Sequence, residues 1–167
     1  MCQWGVCRTG ACPSTSKVGS TTDSGTYLAL VAGEIVWQSV NVNAAVDVVG
    51  FGVKVTTNSS STGNLFSVGL YNYNTSTGQP STLVTSTSVV AAVEGLNEVA
   101  VAPVQISNGN YFLAVAVEGS VTISGSTTNR ITYYCTSCFS GTWPSTAAAS
   151  GNSNQPMLDL YAVTISP

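Results

Sequence analysis

Histidine does not occur in this sequence, and charge of either sign is scarce, with 4 basic and 7 acidic side chains in 167 residues. The first absence removes the imidazole that Ser-His-Asp and Cys-His centres use as a base. It also removes the usual ligand of catalytic zinc. An enzyme is therefore not expected, nor is a cofactor. Only Arg8, Lys17, Lys54 and Arg130 could neutralise phosphates, and the formal net charge is -3. Nucleic acid is not expected as a partner on that ground, because its binding depends on several cationic contacts. No run of about 18 apolar residues offers a membrane span. The first residues also lack the basic and apolar segments of a signal peptide, so export by that route is not expected.

What the chain does carry is apolar material, 44% of its residues, on a background of serine, threonine, asparagine and glycine. That is enough for one well-formed core. Charged residues make up 7%, against roughly 25% in ordinary soluble domains, so solubility falls to hydroxyl and amide groups. Weak repulsion between copies favours packing into assemblies.

Residues 1–25 read as an arm with no periodic apolar face, holding Cys2, Cys7 and Cys12 and then a Ser/Thr/Gly stretch. Residues 26–167 read as one domain. Short apolar runs alternate there with turn clusters, which predicts strands near 27–31, 35–42, 46–56, 64–73, 82–91, 96–102, 110–118, 120–124, 130–135 and 157–165. Phe51, Val53 and Val55 share one face while Gly50, Gly52 and Lys54 share the other. Phe66, Val68 and Leu70 likewise oppose Ser67, Gly69 and Tyr71. The segments 111–117 and 157–165 are apolar on both faces, which predicts central positions in a sheet. Residues 58–63, 74–80, 107–110 and 124–129 have turn composition. Short strands without helical crossovers predict an all-β chain, a two-sheet antiparallel β-sandwich of jelly-roll type with an extended N-terminal arm. Its core is expected to include Trp37, Phe51, Val53, Phe66, Val68, Leu70, Leu113, Val115 and Leu160.

From about Ile35 to Thr164 the order of local signatures resembles an all-β module of bacteriophage tail and fibre proteins and of some secreted bacterial proteins. Three segments carry the resemblance: VGLYNYNTSTGQPSTLVTST (Val68 to Thr87), LNEVAVAPVQISNGNYFLAVAV (Leu96 to Val117) and TWPSTAAASGNSNQPMLDLYA (Thr142 to Ala162). The second has Phe112 where the module usually has tryptophan. The resemblance implies display, attachment or glycan contact on virions or cell surfaces. The leading expectation is a structural protein on a virion exterior, such as a phage capsid decoration, head-fibre or tail-fibre subunit. Its partners would be copies of itself and other virion or surface proteins, with glycans in addition. The alternatives are a subunit of an extracellular filament or surface matrix, and a secreted carbohydrate-binding module.

The five cysteines fall in two clusters, Cys2, Cys7 and Cys12 in the arm and Cys135 and Cys138 in a Cys-Thr-Ser-Cys loop. First and last strands of a sandwich are often neighbours, so a disulfide from arm to loop is expected. Closing a loop of over about 100 residues is worth roughly 4–5 kcal/mol on the chain-entropy model. A zinc site of four thiolates and a set of unpaired thiols are the alternatives. The odd count leaves at least one cysteine unpaired or joined to another chain. Trp4 and Val6 are the apolar groups with which the arm would contact a neighbour.

Trp143 in a Gly/Ser/Thr loop, and Tyr71 and Tyr73 leading into the turn at Asn74, could present flat faces to a sugar ring, with asparagine supplying hydrogen bonds. The competing reading has Trp143 plugging the end of the sandwich. The carboxylates Asp23, Glu34, Asp47, Glu94, Glu98, Glu118 and Asp159 are scattered, which argues for solvated charges and against calcium. Sequons begin at Asn58 and Asn74.

Overall fold

Alternation of apolar side chains with small polar ones leaves each segment one or two faces to bury, and extended pairing is how the chain buries them. The computed structural model describes residues 12–22, 25–58 and 64–167, and these are all-β with no helix among them. In chain order the strands are β1 (Thr15–Gly19), β2 (Thr26–Leu30), β3 (Ile35–Val42), β4 (Val46–Asn58), β5 (Leu65–Tyr73) and β6 (Pro80–Ser86). They continue with β7 (Val90–Ala91), β8 (Gly95–Ile106), β9 (Gly109–Glu118), β10 (Val121–Cys135), β11 (Gly151–Leu158) and β12 (Leu160–Ile165).

The pairings are antiparallel and link one 12-stranded sheet. One group of neighbours runs β1, β12, β4 and β8. Another runs β6, β5, β9 and β3. The 15-residue β10 belongs to both groups. Its first residues, Val121 to Ile123, pair with β4, and Val121 to Gly125 pair with β2. Its last, Thr132 to Cys135, pair with β3, while β11 lies along Gly125 to Tyr134. A register shift between Ser126 and Asn129 redirects the strand, as bulges do.

The main apolar cluster draws on both groups. Phe51 and Val53 of β4 and Leu160 of β12 meet Phe66, Val68 and Leu70 of β5 and Leu113 and Val115 of β9, all buried. A second cluster on the opposite face of β3, β5 and β9 holds Ile35, Trp37, Tyr71, Phe112, Ala114 and Phe139. Trp37 is thus buried as expected, but in the second cluster. The two-faced apolar pattern of 111–117 has the predicted result, since β9 lies between β3 and β5.

Several boundaries differ from expectation. The segment 124–129, polar enough to read as a turn, is held extended inside β10 by β2 and β11. The expected strand 157–165 is two strands parted at Asp159. The stretch 82–91 is β6 and the two-residue β7. Residues 15–19, assigned to the arm, form β1, an edge strand on β12. Among the described residues the first and last strands are neighbours, and the sheet reaches back to Thr15. The predicted turn at 59–63, the first sequon beyond Asn58, and Cys2, Trp4, Val6, Cys7 and Asp23 lie outside the described residues.

Polar side chains are buried among the strands as well. Gln38 of β3, 1% exposed, accepts a hydrogen bond from Leu158 N at 2.9 Å and donates to Leu158 O at 3.1 Å and Leu160 O at 3.3 Å. Between those two leucines, Asp159 N donates to Ser124 O of β10 and Lys54 N of β4 donates to Asp159 O. The handover from β11 to β12 is therefore tied to three other strands. Replacing Gln38 by leucine keeps the volume but strands buried peptide groups, and should cost on the order of 3 kcal/mol in urea unfolding. Leu113→Ala should cost about 2–5 kcal/mol by transfer and cavity effects.

Candidate functional site

The expected sugar-contact residues lie on the second apolar face. Tyr71 and Trp37 meet edge to face with centroids 5.9 Å apart. Trp143 lies over Gly69, 6.0 Å from the Tyr71 ring and 5.3 Å from Phe139, and its Nε1 donates to Ser67 Oγ at 2.7 Å. Trp143 therefore covers the outer face of β5 and does not plug an end. Tyr71 is not a presented ring: it is fully buried, its hydroxyl donates to Pro144 O at 2.7 Å, and burial pushes the phenol pKa well above its ordinary value. Alternation alone could not show this, because Tyr71 points away from the main core and its cover comes from a distant loop.

Tyr73 and Asn74 lie further along the same face. Tyr73 is half-buried and stacks on Phe112 at 5.5 Å, and Phe112 meets Tyr133 edge to face at 5.6 Å. Asn74 Oδ1 accepts from Ser76 N and Thr77 N, closing the turn that its composition predicted. Its side-chain oxygen is thus spent on the backbone. The turn is anchored by Tyr133, whose hydroxyl donates to Gly78 O at 3.2 Å.

The cysteine loop departs from expectation. Cys135 and Cys138 form a disulfide with each other, Cα atoms 5.8 Å apart, so neither is the arm's partner. Cys12 is also disulfide-bonded. Paired sulfurs are not thiolates, which removes both loop ligands from the proposed zinc site. Among the described residues no group of three or more His, Cys, Asp and Glu side chains comes together. The loop docks through Gly33, whose carbonyl accepts from Cys138 N and Phe139 N. Gly33 has φ +81°, and a Cβ there would crowd Ser137.

The charged side chains are not uniformly solvated, contrary to expectation. Lys17 of β1 donates to Tyr161 Oη at 2.8 Å and pairs with Glu98 at 3.1 Å, while Tyr161 donates to Glu98 Oε1 at 2.5 Å. The lysine also lies 4.1 Å from the Tyr161 ring centre. This cluster ties the edge strand β1 to β12 and β8. The Tyr161 ring occupies the space above Gly52 of β4, where a Cβ would collide with it. Beside it a hollow of about 250 Å³ is lined by Lys17, Thr21, Lys54, Leu96, Asp159 and Tyr161. Asp159 is 2% exposed and Ser20 Oγ reaches its Oδ1 at 3.4 Å; its Oδ2 has no hydrogen-bond partner among the described residues. Asp47 is buried as well.

The electrostatics of the cluster are mutual. The hydrogen bond to Tyr161 does most to raise the Lys17 pKa, burial opposes, and Glu98 adds to the rise. Burial works against the Glu98 carboxylate, but hydrogen bonds from Tyr161 and Lys17 and the lysine charge outweigh it and hold its pKa below the ordinary value. Tyr161 is raised by burial and by Glu98, with Lys17 opposing. No protein-family model matches the chain, and no curated protein matches it either.

Two outcomes follow. A lowered carboxylate stabilises the fold above its unfolded pKa and loses that contribution as pH falls through the folded value; raised Lys17 and Tyr161 do the converse in alkali. Stability from Glu98 should therefore fade as pH drops below the ordinary value of 4.5, and that from Lys17 as pH climbs beyond 10.5. Glu98→Gln should flatten the acid limb of a stability-against-pH series measured by urea unfolding. Because the loop disulfide spans a separation of 3 residues, the paired change Cys135→Ser and Cys138→Ser should cost at most about 2 kcal/mol by loop-closure entropy. A loss near that of a long-range bridge would contradict this.

Proposed function

We propose that this chain is a non-enzymatic structural subunit on a virion exterior, a phage capsid decoration, head-fibre or tail-fibre component, built as a two-sheet jelly-roll sandwich with an N-terminal arm. The sandwich reading is supported by the shared core, in which β4 and β12 face β5 and β9. The subunit reading rests on one observation: β1, the strand that directly follows the cysteine segment, is an edge strand fastened by Lys17 to Tyr161 and Glu98. β1 is thus a firmly held edge of the sheet, and an arm leading into it would have a fixed base from which to meet a neighbouring copy. Low surface charge lowers the repulsion that such packing must overcome. The resemblance of the three segments to phage tail and fibre modules points the same way.

A subunit of an extracellular filament or surface matrix would use the same edge. Immunogold labelling in cultures that carry the gene separates the two, since label on particles supports the virion reading and label on cells or filaments the other.

The arm is tested by truncation. Deleting residues 1–13 spares β1 and should leave the far-ultraviolet spectrum and melting temperature unchanged while abolishing self-association in sedimentation velocity. Deleting residues 1–19 removes β1 too, uncovers β12, and should also lower the melting temperature. Normal assembly of the shorter deletion would end the arm reading.

A further inference from the structure

Leu28 of β2 stands opposite Ile123 near the start of β10, and Val36 of β3 stands opposite Tyr134 near its end. Both nevertheless line one hollow of about 290 Å³. The floor of the hollow is apolar, made by Leu28, Val36 and Tyr134, which pack in or against the main core. Its rim is polar, with Glu34, Ser153 and Gln155 among the groups facing in.

That rim holds hydrogen-bonding capacity the fold does not use. Glu34 accepts from Val31 N at 3.1 Å through one oxygen, leaving the other. The hydroxyls of Tyr134 and Ser153 and the amide of Gln155 bond to no other described residue. Elsewhere the side chains that the sequence nominated for contact, Tyr71, Asn74 and Trp143, are engaged within the protein.

The lining selects the ligand. It contains one carboxylate and no cation, since Arg130, on the same strand, reaches toward Ser39 O at 3.5 Å and lines a different hollow. An anionic ligand would face the Glu34 carboxylate with no cation in the lining to offset it. Calcium wants six to eight oxygens and commonly several carboxylates. A neutral ring with hydroxyls around its edge and C–H groups on its face satisfies both surfaces: carboxylate, amide and hydroxyls take the edge, and the apolar floor takes the face. The volume, at the lower end of small-molecule sites near roughly 300 Å³, admits one ring. We infer that this hollow binds a single neutral pyranose unit of a glycan. The inference does not depend on the virion reading, because a filament subunit would carry the same hollow.

The test is a ¹⁵N–¹H titration of the full chain with the methyl glycosides of glucose, galactose, mannose and N-acetylglucosamine. At least one should give saturable shifts at the amides of residues 132–136 and 151–155. Glu34→Gln, which keeps an acceptor for Val31 N, should weaken that binding by about tenfold, the scale of one lost charge-assisted hydrogen bond. Gln155→Ala should weaken it without altering the far-ultraviolet spectrum, and methyl glucuronide should bind more weakly than methyl glucoside. Absence of saturable shifts with all four glycosides would overturn the inference. So would shifts centred on Tyr73 and Trp143 that vanish in Trp143→Ala and survive Glu34→Gln.

Discussion

The contact on which the rest of this structure depends is the one Gln38 makes with the chain on either side of Asp159. At that point β11 stops following β10 and β12 starts following β4, and the change of partner exposes peptide groups to an apolar interior. The Gln38 amide satisfies them, accepting from Leu158 N and donating to Leu158 O and Leu160 O, and the Asp159 backbone bridges Ser124 and Lys54. Buried peptide groups left without partners are costly. The amide therefore fixes where the crossing occurs, and with it which residues of β12 face the core and which face outward.

Much of this was legible in the sequence. The period-two pattern located β3 at Ile35–Val42 without error and placed β9 centrally. The misses have a common cause, which is that periodicity reports burial and not extension. β1 has a single partly buried residue, Val18, so it carries no alternation to read. The middle of β10, Thr127 to Ile131, is exposed and polar apart from its last residue, and only the neighbouring strand keeps it extended. Tyr71 was read as a presented ring because its neighbours along the chain are turn formers, whereas its cover comes from Pro144 and Trp143, far away in sequence.

The site was less legible than the fold. Aromatic residues in Ser/Thr/Gly loops attract attention, but here several of them serve to close the second cluster over β5 and β9. The hollow beside Glu34 is assembled from β2, β3, β10 and β11, and no short segment of sequence contains more than a part of it. It lies where β2, β3 and β11 all pair with β10, a strand whose register shifts between Ser126 and Asn129. Carboxylates read as scattered were equally misleading, because Glu98 meets Lys17 only once β8 and β1 flank β4 and β12.

Gly52 makes the room that this last contact needs. The Tyr161 ring can lie flat across β4 only because position 52 has no side chain, and the ring in turn carries the hydroxyl that joins Lys17 to Glu98. Any larger residue at 52 would lift the ring and loosen the N-terminal strand two positions across the sheet. A glycine in the middle of β4 thereby governs a strand it does not touch: the emptiness at 52 is what lets a ring on β12 reach a lysine on β1 and a carboxylate on β8 at once.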